Sequence, residues 1–281
     1  MVSELSHCAR QVRRFDNDRF LCTLFAPPAE REALSALYTF NIEIARAREL
    51  VREAMLARMR LQWWRDVLAG IYAGQRQREP VAAALAEAVM RFDLSRGHFE
   101  RLIDGREFDC EDRPPANLDD LVAYGEATAA PLVKLSAEVC AAREDRVVDA
   151  AGDVGIAWAL TGLIRAVPFH ARAKRLYLPA ALNRRHGLDV FAMFERGSSP
   201  GLSSVVAAVS ARAREHLVRA RAMRAEVPAH ALPAFLPATL ADLYLRRIAA
   251  ADYDPFDERV RSSAGAGRLL ALLSARLRRR Y

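Results

Sequence analysis

The stretch LSALYTFNIEIA, Leu34 to Ala45, is apolar nearly all the way round a helix. It shows no strict alternation of the kind a strand needs, and Pro27-Pro28 stands just before it, where helices begin. A helix without a polar face belongs in the middle of a bundle, with neighbours on every side. That reading sets the fold class as all-α with this helix central, and the pattern carries it to about Glu53. Asn41 and Glu43 are the polar exceptions inside it. Two readings stand open for them: local hydrogen-bond partners at a seam, or side chains that face a cavity.

Outward from there the chain reads as more helices. One covers Met55 to Gly74, and another starts at Pro80. Ser95 caps a helix that reaches Asp109, and Asn117 caps the next, with Asp119 and Asp120 in its first turn. Later helices are expected over Asp145–Val167, Leu202–Ala225, Pro237–Ala251 and Gly267–Arg280. Between them Arg172–Gly201 is broken into loops and short helices. No strand series, internal repeat or low-complexity tract is present, and no linker is long enough to split the chain, so residues 1–281 read as one domain.

Composition narrows the function. With 52% hydrophobic and 27% charged residues the chain is globular, and no apolar run approaches the roughly 20 residues of a membrane span. The polar first twenty residues hold Glu4, Asp16 and Asp18 and no apolar signal core, so a cytoplasmic chain is expected. Cys8, Cys22, Cys110 and Cys140 lie far apart, which fits reduced thiols and argues against a zinc site. The net charge of +7 is carried by arginine, with Lys134 and Lys174 the only lysines; with the abundant alanine this points to a GC-rich bacterial genome. No DNA- or RNA-binding motif accompanies that charge, which leaves nucleic acid out of the expected partners.

Four segments then carry a resemblance. ALYTFNIEIARARELV (Ala36–Val51), LQWWRDVL (Leu61–Leu68), GIAWALTGLIRAVPFHARAKRLYLP (Gly155–Pro179) and ADYDPFDERVR (Ala251–Arg261) resemble, in order, the landmark segments of squalene and phytoene synthases. The resemblance implies an isoprenoid-synthase fold, a helical bundle around a central apolar cavity. It also implies a chemistry, the Mg²⁺-assisted ionisation of an allylic diphosphate, which needs carboxylate oxygens. Family members supply these from two motifs with Asp residues four apart, one turn of helix and hence one face.

Here those positions fall on Ala45 and Glu49, and on Ala166 and His170, while Arg46 takes the place of a frequent extra Asp. Pro168 lies within the second motif and is expected to end or kink its helix. Such a site is expected to hold a Mg²⁺ cluster poorly or not at all. Arg165 and Arg259 match family arginines that contact phosphate, and Tyr124 matches a tyrosine linked to proton transfer. The plainer reading of all three is structural: arginines paired with carboxylates, and a tyrosine packed with its hydroxyl satisfied.

The replacements themselves, with LCTLFAPPAER near the start and VPAHALPAFLPATLADLYLRRI (Val227–Ile248), are similar to one branch, that of mitochondrial respiratory complex I assembly factor 6 and its proteobacterial relatives. The expectation is a non-catalytic protein that acts with complex I subunits or assembly intermediates and keeps room for an isoprenoid or lipid ligand. The competing expectation is an active prenyl transferase with an altered metal site built on Glu43, Glu49 and His170. The terminal GRLLALLSARLRRRY (Gly267–Tyr281) is read as a helix packed on the bundle, or else as one lying peripherally on an anionic membrane.

Overall fold

The computed structural model describes residues 5–51, 53–197, 199–262 and 265–281. Among these residues the secondary structure is helical throughout, with no strand. The first half contains α1 (His7–Phe15), α2 (Asn17–Thr23), α3 (Pro28–Ala45), α4 (Ala54–Tyr72), α5 (Pro80–Phe92), α6 (Arg96–Gly105), α7 (Leu118–Thr128) and α8 (Ala130–Val139). The second half contains α9 (Asp145–Arg165), α10 (Val167–Arg172), α11 (Ala180–Arg185), α12 (Val190–Arg196), α13 (Leu202–Ala222), α14 (Leu232–Ala250), α15 (Glu258–Arg261) and α16 (Ala266–Arg278).

As its pattern requires, α3 is buried from Ala33 to Ile42. Phe40 sits edge-on to Trp64 of α4 and Phe99 of α6, with ring centroids at 5.0 and 5.5 Å. The second apolar cluster forms around α9, which packs on α7, α8, α13 and α14. Small residues let those helices close in on it: Ala150, Ala151, Gly155 and Ala157 all lie on its buried faces. Among the described residues α9 alone is long and apolar enough to cross a membrane, a property that core helices share, and more than half of its apolar stretch is buried in the bundle.

Three helix limits differ from the sequence expectation by more than three residues. First, α3 stops at Ala45 and not near Glu53. No glycine or proline ends it; the chain leaves the helix where Arg46 lies over the Phe15 ring at 4.3 Å. Arg48 then closes the turn by donating to the Val51 carbonyl at 3.0 Å. Second, α6 ends at Gly105 and a 3₁₀ turn carries the chain through Arg106–Cys110. Its Ser95 does not cap by side chain; the Ser95 hydroxyl and amide instead donate to buried Glu138 at 2.6 and 2.8 Å. Third, α14 begins at Leu232, so Pro237 lies inside it and leaves the Pro233 carbonyl without its helical donor. Burial of Phe235, Leu236, Leu240 and Tyr244, each worth about 1.5–3 kcal/mol, offsets that loss. Elsewhere the expected signals operate: Asn117 accepts the Asp120 amide at 3.0 Å, and Pro168 ends α9 by starting α10.

Candidate functional site

The end of α3, the 3₁₀ turn after α6, and the α10 segment surround a cavity of ≈ 700 Å³. Ala45 and Glu49 line it from one side, and Phe169, His170, Arg175 and Tyr177 from another. Asp109, Glu111 and Asp112 complete the polar wall, while Val51, Phe108, Val190 and Phe194 supply apolar surface.

Because α3 ends at Ala45, Glu49 lies in the turn that follows and not one helical turn along the same face. The second motif is broken as well. Ala166 closes α9 and opens α10, and only His170 of that pair reaches the cavity. Burial pushes the His170 pKa down to about 4, so the imidazole is neutral at ordinary pH. Its ring packs at 4.5 Å from that of Tyr177.

Behind the wall lies a hub that sequence reasoning missed. Asp109 is buried, and its Oδ1 accepts from both the Tyr124 and Tyr177 hydroxyls at 2.8 Å. Its Oδ2 faces Arg106 at 3.3 Å, and Arg106 also donates to the Tyr124 hydroxyl at 2.8 Å. Arg175 donates to the Asp109 backbone carbonyl. Burial raises the pKa of both tyrosines and the charge of Asp109 raises it further, so neither releases a proton readily. Tyr124 therefore serves here as a satisfied, buried hydrogen-bond partner. A buried tyrosine hydroxyl requires an acceptor, and that requirement is the one sequence signal that pointed toward a carboxylate such as Asp109.

The remaining sequence candidates are dispersed. Glu43 is not a cavity residue; it pairs with Arg60 of α4 at 3.2 Å. Asn41 is buried with its Oδ1 unpartnered, and it does not line the cavity either. Arg165 turns to Asp18 of α2 at 3.2 Å and stacks over the Tyr244 ring at 3.5 Å. Asp18 also accepts from the Tyr244 hydroxyl (2.7 Å) and from Arg268 of α16 (2.7 Å), a second hub with no obvious mark in the sequence. Arg259 is exposed, chelates Asp257 at 2.7 and 3.0 Å, and donates to the Ala250 carbonyl at the end of α14. The structure thus brings Ala45, Glu49 and His170 together, places Tyr124 just behind them, and separates Asn41, Glu43, Arg165 and Arg259 from the cavity.

An all-α bundle with two facing motif segments at a cavity defines the isoprenoid-synthase class of fold. The chain belongs to the squalene/phytoene synthase family: residues 12–266 match the family described as "Squalene/phytoene synthase". Its fold superposes on a dehydrosqualene synthase crystallised with ligand at a TM-score of 0.84, covering 97% of this chain and 95% of that one at 17% identity. In sequence it is 31% identical over 250 residues to "NADH dehydrogenase (ubiquinone) complex I, assembly factor 6" of Rattus norvegicus, covering 89% of this chain and 75% of the relative. It is 27% identical over 207 residues to the 15-cis-phytoene synthase of Pantoea ananas, covering 73% and 66% respectively.

The Mg²⁺ cluster that the family implies does not fit these residues. Hard cations need several carboxylate oxygens free to converge. In the cavity Asp112 is held by Arg48 (3.4 Å) and Arg175 (3.9 Å), and Glu111 by Arg113 (2.5 Å). Glu49 lies 3.8 Å from Arg46, and both Asp109 oxygens are taken. Among the described residues no three His, Cys, Asp or Glu side chains are arranged to hold a metal ion. The arrangement offers a binding cavity whose charges are already paired internally.

Proposed function

We propose that this protein is a bacterial, cytoplasmic assembly factor for respiratory complex I that keeps the synthase bundle and does not ionise allylic diphosphates. The single observation that carries the proposal is that each cavity carboxylate lies within 4 Å of a neighbouring arginine, with buried Asp109 also bonded to two tyrosines, and that among the described residues no three of them converge on a metal position. Function follows the site and not the fold, and this site lacks the free carboxylates that diphosphate chemistry needs. The assembly-factor name of the rat relative supports the choice of complex I, the enzyme that passes electrons from NADH to ubiquinone. Four buried, unpaired thiols fit a reducing cytoplasm. Phe108, Val190 and Phe194 give the cavity apolar surface that suits an isoprenoid or lipid chain as the ligand.

Deleting the gene in its own organism tests this. Membranes of the deletion strain are expected to lose most NADH:ubiquinone activity and the assembled complex on native gels, with recovery on expression of the wild-type chain. Squalene- and phytoene-derived lipids should stay at wild-type levels. Fully assembled complex I in the deletion strain, or loss of those lipids with complex I intact, would contradict the proposal.

A further inference from the structure

Helix α16 has two apolar faces. Leu272 and Ala275 turn inward, and α16 packs on α14. At its end Tyr281 packs on Phe235 at 4.9 Å and donates its hydroxyl to the Ala220 carbonyl at 3.0 Å. The first turn is fixed as well, by the Arg268–Asp18 ion pair at 2.7 Å. The other face is bare. Leu269, Leu270, Leu273 and Leu277 follow one stripe at helical spacing and are 43, 65, 42 and 84% exposed.

The charges beside that stripe decide what covers it. Arg276, Arg278, Arg279 and Arg280 are exposed, and none makes an ion pair among the described residues. From Gly265 to Tyr281 the sequence contains no acidic residue. A bare apolar face on α4, with Met55, Met59 and Trp63, is different: Arg58, Arg60 and Arg65 beside it are each paired with a carboxylate of the protein. Leucines flanked by unneutralised arginines complement a surface that is apolar within and anionic at its headgroups.

We infer that α16 docks the protein on an anionic lipid bilayer. The helix lies in the membrane plane with Leu269, Leu270, Leu273 and Leu277 at the acyl boundary, and its terminal arginines reach headgroup phosphates. Because Arg268 and Tyr281 already hold the helix to the bundle, docking needs little further ordering of the chain. The inference is independent of the complex I reading.

Co-sedimentation of the full chain with vesicles tests it, using phosphatidylcholine alone and phosphatidylcholine mixed with phosphatidylglycerol. Binding is expected only to the mixed vesicles, and it should weaken as salt rises. Leu270→Ser with Leu277→Ser is expected to reduce it by at least about tenfold. Arg276→Gln, Arg278→Gln, Arg279→Gln and Arg280→Gln together should cost up to about a thousandfold. All six side chains are exposed, so neither variant disturbs the packing, and Met59→Ser on α4 should bind as the wild type does. No binding to the mixed vesicles, or binding by both α16 variants as tight as that of the wild type, would overturn the inference. So would a wild-type dimer in light scattering that the leucine variant converts to a monomer, since the stripe would then be an interface between two copies.

Discussion

Gly155→Ala is expected to destabilise the protein by about 3 kcal/mol or more, whereas Gly162→Ala, two turns along the same helix, should stabilise it by up to about 1 kcal/mol. Both glycines lie inside α9, where alanine is the better helix former. Their surroundings differ. A Cβ on Gly155 would strike the Ala130 Cα and lie 2.6 Å from the Ala130 nitrogen and 2.8 Å from the Ala129 carbonyl carbon. These are backbone atoms at the bend where α7 gives way to α8, so no side-chain rotation relieves the clash. The two helices would have to separate, opening a gap where α8 lies against α9. A Cβ on Gly162 meets nothing within 4 Å. Urea unfolding of the two variants beside the wild type gives both values. Equal effects would mean that α8 and α9 do not approach through Gly155.

The second large effect centres on Asp18. Its side chain is 11% exposed and accepts hydrogen bonds from Arg165, Arg268 and Tyr244, thereby tying α2 to α9, α14 and α16. Asp18→Ala leaves two arginines, themselves 25 and 15% exposed, without their carboxylate. Removing one member of a buried ionic cluster costs about 3–5 kcal/mol, because the remaining charge stays desolvated and unpaired. Glu126→Ala breaks only the exposed contact with Arg101 at 3.5 Å and is expected to cost less than about 1 kcal/mol. Thermal or urea unfolding separates the two. An Asp18→Ala variant as stable as Glu126→Ala would show that the cluster is solvated and contributes little.

Local chemistry explains which features could be read in advance. The central burial of α3, the Asn117 cap and the break at Pro168 each follow from residues next to the feature, so sequence alone exposed them. The family segments likewise located Ala45, Glu49 and His170, which do meet at one cavity. The end of α3 could not be read, because R-A-R-E-L is good helix-forming sequence. The contacts made where the helix ends come from distant parts of the chain: Phe15 beneath Arg46, and Asp112 beside Arg48. The same limit hid the two carboxylate hubs. Asp18 and Asp109 look like ordinary acids in polar surroundings, and their partners lie up to 250 residues away. Arg165 and Tyr124 stand out in the sequence only as family positions, and the contacts they make depend on those distant partners. Nor does any local signal show that Glu43 turns to Arg60 and away from Glu49.

The proposal that this chain does not ionise allylic diphosphates is tested most directly by incubating the purified chain with farnesyl or geranylgeranyl diphosphate and Mg²⁺, beside an active synthase. Released diphosphate is measured and the lipid products are extracted. With Asp112, Glu111, Glu49 and Asp109 all engaged by the protein's own side chains, no diphosphate release above the no-protein blank is predicted. Release accompanied by a condensed product of two prenyl chains would contradict it, since those carboxylates would then have left their partners to hold the metal.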